Sequence, residues 1–245
     1  LRSSMPIGQG FEGWDSHGFR FACVPSHYSY DDPVVYPGEK GVAHLHMFFG
    51  KTDVSYKSTS DSIINNGRST CAGGITNRSA YWVPALLNAN GEPVLPDEII
   101  NYYKSWVPNR NELKPIPQGL QILANDKVKG SSGVTVARPG HPEDVWDASI
   151  GITDHDGITI SVSFPDCVAV DKNGDPVLTS DGGTSHVAYS GYEGCPASHP
   201  YHIPTLTQNI RYDVPFTSNW QLASDPSSSK KGTTAHADYM AGWTK

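Results

Sequence analysis

His44 and His46 stand one residue apart in the run "AHLHMFFG", where a strand would ordinarily carry valine or leucine. The pattern predicts a strand over residues 44–49, so both imidazoles leave the same face, about 6–7 Å apart at the usual rise. They can share one target. Of ten histidines in the chain, three more occupy short polar strings: His186 in "SHVAY", His199 in "ASHP" and His236 in "AHAD". Each follows a small residue, Ser185, Ser198 or Ala235, which permits close approach. Imidazole ligates zinc, copper, iron and nickel, and it also titrates near neutral pH. The set therefore suits either a divalent transition metal, with His44, His46 and His186 as the expected ligands, or general acid and base work.

Carboxylates compete for the second role. Asp31 and Asp32 lie in a tyrosine-rich loop, Asp166 follows a strong strand beside a cysteine, and Asp238 comes two residues after His236. Hydrolysis of a glycosidic bond usually takes two carboxyl groups about 5–10 Å apart. Asp32, His44, His46, His186, His236 and Asp238 are the catalytic candidates on this ground. "GEKGVAHLH" also matches the opening of the cupin pattern, with a glycine ahead of HxH. A glutamate should follow three or four residues on; "MFFGKTD" offers none, and the second cupin motif is absent.

Substrate contacts are expected from Arg78, Tyr81 and Trp82 in "NRSAYW", Tyr102 and Lys104 in "YYKSW" with Trp106 nearby, and from His199 and Arg211. Aromatic faces stack on sugar rings, and Arg or Lys pairs with a uronate carboxylate. Tyr81 and Trp82 alternate along one strand, so only one of the two is expected to face inward. No GxSxG elbow, Walker loop, Rossmann fingerprint or HExxH is present, which removes the usual serine-hydrolase, nucleotide and zincin signatures.

The elements that must hold these groups read as short strands. "GFRFACV", "SAYWVPALLN", "QGLQILAND", "DGITISVSFPDCVAV" and "QNIRYDV" carry strand patterns, "PDEIINYYKSW" leans the same way, and one short helix fits near residues 60–65. "PSHYSYDDP" and "TTAHADYMAGW" read as loops, and residues 127–150 as the most linker-like stretch. With 24 glycines and 19 prolines in 245 residues, and no repeat, the composition points to a mainly β fold. A single-domain β-sandwich or jelly roll over residues 1–245 is expected, with long loops and few short helices. A net charge of −7 argues against nucleic acid, and no apolar run is long enough to span a membrane. The start, "LRSSMPIGQG", has no apolar signal region, which fits a mature or trimmed chain. Four cysteines fall as one pair in each half, so Cys23–Cys71 and Cys167–Cys195 are the expected disulfides, formed in an oxidising compartment.

In order along the chain, "DDPVVYPGEKGVAHLHMFFG", "NRSAYWVPAL", "YYK", "FPDC", "SHVAY", "GCPASHP", "IRYDV" and "HADYMAGW" resemble the secreted domain-of-unknown-function family 1996. That family occurs in fungi and bacteria, often joined to WSC or carbohydrate-binding modules, and the resemblance covers roughly residues 18–243. It implies secretion and a polysaccharide or cell-wall partner. It also implies a site among Asp31, Asp32, His44, His46, Asn77, Arg78, Tyr102, Lys104, His186, His199, Arg211, His236 and Asp238. Family chains commonly carry tryptophan after "FPDC", where this chain has Val168. Three functions follow as expectations. The first is an enzyme cleaving glycosidic linkages of a polysaccharide, with a hydrolase favoured over a lyase that would use a His or Tyr base beside Arg78 or Lys104. The second is a histidine-coordinated metal protein or oxidoreductase, and the third a non-catalytic wall-binding module.

Overall fold

Period-two patterns such as "GFRFAC" and "ITISVS" put every second side chain on one face, and two sheets meet across those apolar faces. The computed structural model describes residues 18–104, 113–124, 134–137, 157–215, 218–227 and 231–244. Their strands are, in the first half, β1 (Gly18–Cys23), β2 (Pro25–Ser29), β3 (His46–Gly50), β4 (Ala80–Pro84), β5 (Leu86–Leu87), β6 (Glu98–Lys104) and β7 (Gln121–Ala124). The second half adds β8 (Val134–Ala137), β9 (Ile158–Ser163), β10 (Cys167–Val168), β11 (Val187–Ala188), β12 (Tyr201–His202), β13 (Thr205–Tyr212), β14 (Gln221–Leu222) and β15 (Ala237–Met240). The helix α1 (Ser60–Asn65) lies where the sequence places it, its start fixed by a reciprocal cap between Thr59 and Ser62.

Two antiparallel five-stranded sheets dominate, one in the order β1-β6-β13-β9-β8, the other β2-β3-β4-β15-β7. A single core cluster joins them: Phe21, Ile99, Tyr103 and Ile210 from the first meet Met47, Phe49, Tyr81 and Tyr239 from the second. Inside it the hydroxyls of Tyr81 and Tyr103 lie 2.9 Å apart, and Tyr103 donates to Tyr239 at 3.3 Å. The mainly β sandwich read from the sequence is the fold observed.

The outer face of the second sheet is also covered. Phe48, Trp82 and Met240 on that face pack with Val34, Val54 and Ile63 from the long segment between β2 and β4. Tyr81 and Trp82 consequently face opposite ways and are both wholly buried, which corrects the expectation that only one would be.

Two segments read as loops contain strands. β2 forms an edge of the second sheet, and β15 sits near its centre, between β4 and β7. All four residues of β15 are buried, so "ADYM" shows none of the polar alternation that marks a half-exposed strand. The stretch 127–150 read as linker-like also holds a strand, β8, paired with β9; the rest of that stretch and Trp106 lie outside the described residues.

Both expected disulfides are present, Cys23–Cys71 and Cys167–Cys195. They are compatible with an extracellular protein, and no described helix is long and apolar enough to cross a membrane. Beside the second disulfide, Asp166 is buried and accepts from the Ser190 N–H, the Ser190 hydroxyl and the Thr205 hydroxyl, each at 2.8 Å. Burial alone would raise its pKa, but His202 and these donors outweigh it and hold the carboxyl below its ordinary value. Asp166 thus ties the small β11-β10-β12 sheet to β13.

Replacing Asp166 by Asn should cost roughly 2 kcal/mol in denaturant unfolding at pH 7, because charged acceptors make the stronger hydrogen bonds. A lowered folded-state pKa means the charge contributes fully above the unfolded value of 3.8 and is lost as pH falls through the folded one. The gap between wild type and Asp166→Asn should therefore narrow when unfolding is repeated near pH 3.

Candidate functional site

His46 opens β3, and His44 sits just before it, outside the strand expected to hold both. On β15, the same period-two spacing places Asp238 in the strand and His236 immediately ahead of it. β3 and β15 flank β4, with Phe48 opposite Trp82 and Trp82 opposite Asp238. The two motifs, HxH and HxD, thereby converge on the covered outer face. Ring centroids of His44 and His46 are 4.1 Å apart, closer than strand geometry alone predicts; His236 lies 5.0 Å from His44 and 5.8 Å from His46. His236 Nε2 is 4.0 Å from Asp238 Oδ2. The ligating atoms of His44, His46 and His236 all fall within 4.8 Å of one another, as do those of Asp32, His46 and Asp238.

Backbone carbonyls orient two of the rings. His46 Nδ1 is 3.1 Å from the Asp31 carbonyl and His236 Nδ1 is 2.7 Å from that of Thr234. A carbonyl only accepts, so each Nδ1 carries the proton and each Nε2 keeps its lone pair. Among the described residues, His44 Nε2, His46 Nε2 and both Asp238 oxygens are buried without a hydrogen-bond partner.

Burial, and secondarily His236, lowers the His44 pKa to about 4. Burial pushes His46 well below its ordinary value as well, with His44 and His236 adding to the effect. Burial pushes Asp238 well above the usual carboxylate range, and Asp32 adds to that. Asp32 is raised by burial too, although the Val35 and Val34 N–H groups donate to its Oδ1 at 2.9 and 3.0 Å. At neutral pH these shifts leave His44 and His46 uncharged and favour a protonated Asp238.

His186 is not the third imidazole of this cluster; His236 is. His186 stands with His199 in a second pair. Ser180 Oγ accepts from the Ser185 N–H at 3.1 Å and lies 2.7 Å from His186 Nδ1. His199 Nε2 faces the Ser185 carbonyl at 3.3 Å while Ser198 Oγ lies 2.9 Å from its Nδ1. His199 therefore carries a proton on Nε2.

The expected binding residues disperse. Tyr102, Lys104 and Arg211 lie on the far face of the first sheet, because Tyr103, Leu206 and Ile210 point into the core from the same strands. Lys104 Nζ rests 4.9 Å over the Tyr102 ring. Both sheets therefore separate these three from the histidines. Arg78 donates through Nε to the Gly67 carbonyl at 3.1 Å and through Nη1 to that of Ile64 at 3.4 Å, fastening the end of α1. Asn77 is buried and accepts from the Ser79 N–H at 3.2 Å. Neither Tyr81 nor Trp82 presents a ring to solvent. Asp31 contributes its backbone, a role that no side-chain pattern announces. The carboxylate missing downstream of HxH comes instead from β15.

A family model described as a domain of unknown function, DUF1996, matches residues 32–243. No curated protein and no solved structure matches the chain.

Nitrogen-15 chemical shifts should report a proton on Nδ1 of His46 and His236 and on Nε2 of His199. A bare nitrogen at any of these three positions would contradict the hydrogen-bond directions given above.

Proposed function

Since the chain belongs to this domain-of-unknown-function family, we propose that it is an extracellular enzyme cleaving glycosidic linkages of a polysaccharide, with His44, His46, His236, Asp32 and Asp238 as its reactive centre. One observation carries the reading: buried polar atoms of three side chains, His44, His46 and Asp238, converge without the hydrogen bonds that a purely structural cluster would make. Groups held at such cost are characteristic of working sites. Secretion is supported by the two disulfides, and the polysaccharide by the family resemblance in the polar strings.

Bond cleavage needs a proton for the leaving oxygen and a base for the attacking water. Asp238 is held protonated by its surroundings and suits the first task. A neutral imidazole suits the second, and His44, uncharged at neutral pH and partly exposed as His236 is, supplies it. Asp32, fixed by two N–H groups, stands beside Asp238. The commitment of Arg78, the expected anion stabiliser of a lyase, to α1 favours a hydrolase.

A non-catalytic wall-binding role has one observation in its favour, an open groove lined by Phe19, Ile116, Tyr201 and Trp243. Product release from a polysaccharide panel separates the two readings. Asp238→Asn and His46→Ala should each lower the rate at least about 100-fold, the usual contribution of a positioned acid or base, while Tyr102→Ala and Arg211→Ala leave it unchanged. Absence of products, with binding lost in Trp243→Ala and kept in Asp238→Asn, would replace the enzyme by the binding module.

A further inference from the structure

An unpaired carboxylate in a dry interior is among the most costly groups a fold can hold. Asp238 is wholly buried, its two oxygens lack a hydrogen-bond partner among the described residues, and the same holds for Nε2 of His44 and His46. Ligand atoms of His44, His46 and His236 lie within 4.8 Å of one another, as do those of Asp32, His46 and Asp238, so the two sets share His46, and His236 Nε2 is 4.0 Å from Asp238 Oδ2. The rings of His46 and His236 are also anchored from behind by backbone carbonyls through Nδ1, the outer hydrogen bond that metal-bound imidazoles almost always make.

We propose that His44, His46, His236 and Asp238 together bind one divalent transition-metal ion. This rests on reading the cluster as the working centre and names what that centre holds; as ligands, Asp238 would bind as the carboxylate and His44 through its lone pair, in place of the acid and base roles given to them above. Three imidazoles and a carboxylate suit zinc, copper, nickel or ferrous iron, whereas magnesium and calcium prefer oxygen donors throughout. Asp32, tied to Val34 and Val35, stands beside His46 and Asp238 as an outer carboxylate. His46 and Asp238 close the buried side, and the partly exposed His44 and His236 leave the other side open to water and substrate, as catalytic rather than structural sites do. An ion there would supply Lewis acidity and a more acidic bound water. Cys167, Cys195 and His202 share a comparable spacing, but the two sulfurs are bonded to each other and are not a ligand pair.

The full chain is stripped with a chelator, dialysed against zinc or cupric ion, and measured for metal content by mass spectrometry and for thermal unfolding. One ion per chain and a raised melting temperature are expected. Asp238→Asn and His46→Ala should weaken binding at least about 100-fold, beyond what loss of an outer hydrogen bond does, and His186→Ala should leave it intact. Asp238→Asn guards against simple unfolding, because without metal it removes an unpaired buried acid and should melt no lower than stripped wild type. Substoichiometric metal and no thermal shift with zinc, copper, nickel or ferrous iron would overturn the inference. Full product release by the stripped protein would overturn it too, leaving the enzymatic reading in place. Stoichiometric metal with no product from any polysaccharide would support the site and sink the enzymatic reading alone.

Discussion

Burial of the second sheet on both faces is the constraint from which the rest follows. A sandwich sheet ordinarily keeps one face in water, and polar side chains there need no partners. Here the segment between β2 and β4 lies over the outer face, so Phe48, Trp82 and Met240 have a second small core of their own. His46 and Asp238 share that face and are wholly shielded. Deprived of water, they can only answer one another, Asp32, and whatever enters from the His44 side. Their shifted ionisation has the same origin, since burial is the first cause for His44, His46, Asp32 and Asp238 alike.

Such a cluster works against folding, and the surrounding structure has to outweigh it. The shared core between the sheets, with its linked tyrosine hydroxyls, is large and continuous. The Cys23–Cys71 disulfide secures the end of β1 against a loop 48 residues away in sequence, which restricts the unfolded chain. Asp166 does comparable service around the second disulfide with every donor satisfied. Asp166 and Asp238 make the contrast plain: both are buried, but the first is surrounded by donors and lowered in pKa, while the second has none and is raised. The fold is able to satisfy a buried carboxylate and does so where the role is structural.

Much of this was legible in the residues. Strand patterns identified β1, β9 and β13 of the first sheet and β-favouring residues identified β6, while β8 was missed, and the local pairing of cysteines was right in both halves. HxH on a predicted strand correctly placed two imidazoles on one face. The centre of the site was harder to read because β15 carries no alternation: Ala237, Asp238, Tyr239 and Met240 are all buried, and the aspartate interrupts what would otherwise be an apolar run. The usable signal was the symmetry between HxH and HxD, two period-two polar motifs in apolar surroundings. Tyr102, Lys104 and Arg211 misled for a different reason. Side-chain type announces what a residue can bind, while the inward turn of Tyr103 decides which side of the sandwich its neighbours occupy, and that depends on register with β1 and β13.

Hydrogen-bond direction then separates histidines that look alike in sequence. His199 meets a serine at Nδ1 and turns a protonated Nε2 toward the Ser185 carbonyl, which makes it a donor there and leaves that nitrogen no lone pair for an electrophile or ion. His46 and His236 are fixed through Nδ1 to carbonyls and turn the bare nitrogen inward. The distinction is set by two backbone oxygens, those of Asp31 and Thr234, whose positions depend on the loop after β2 and the approach to β15. A substitution that redirected either carbonyl would exchange ligand for donor without altering a single histidine, so the identity of this site resides as much in the path of the backbone as in the side chains it presents.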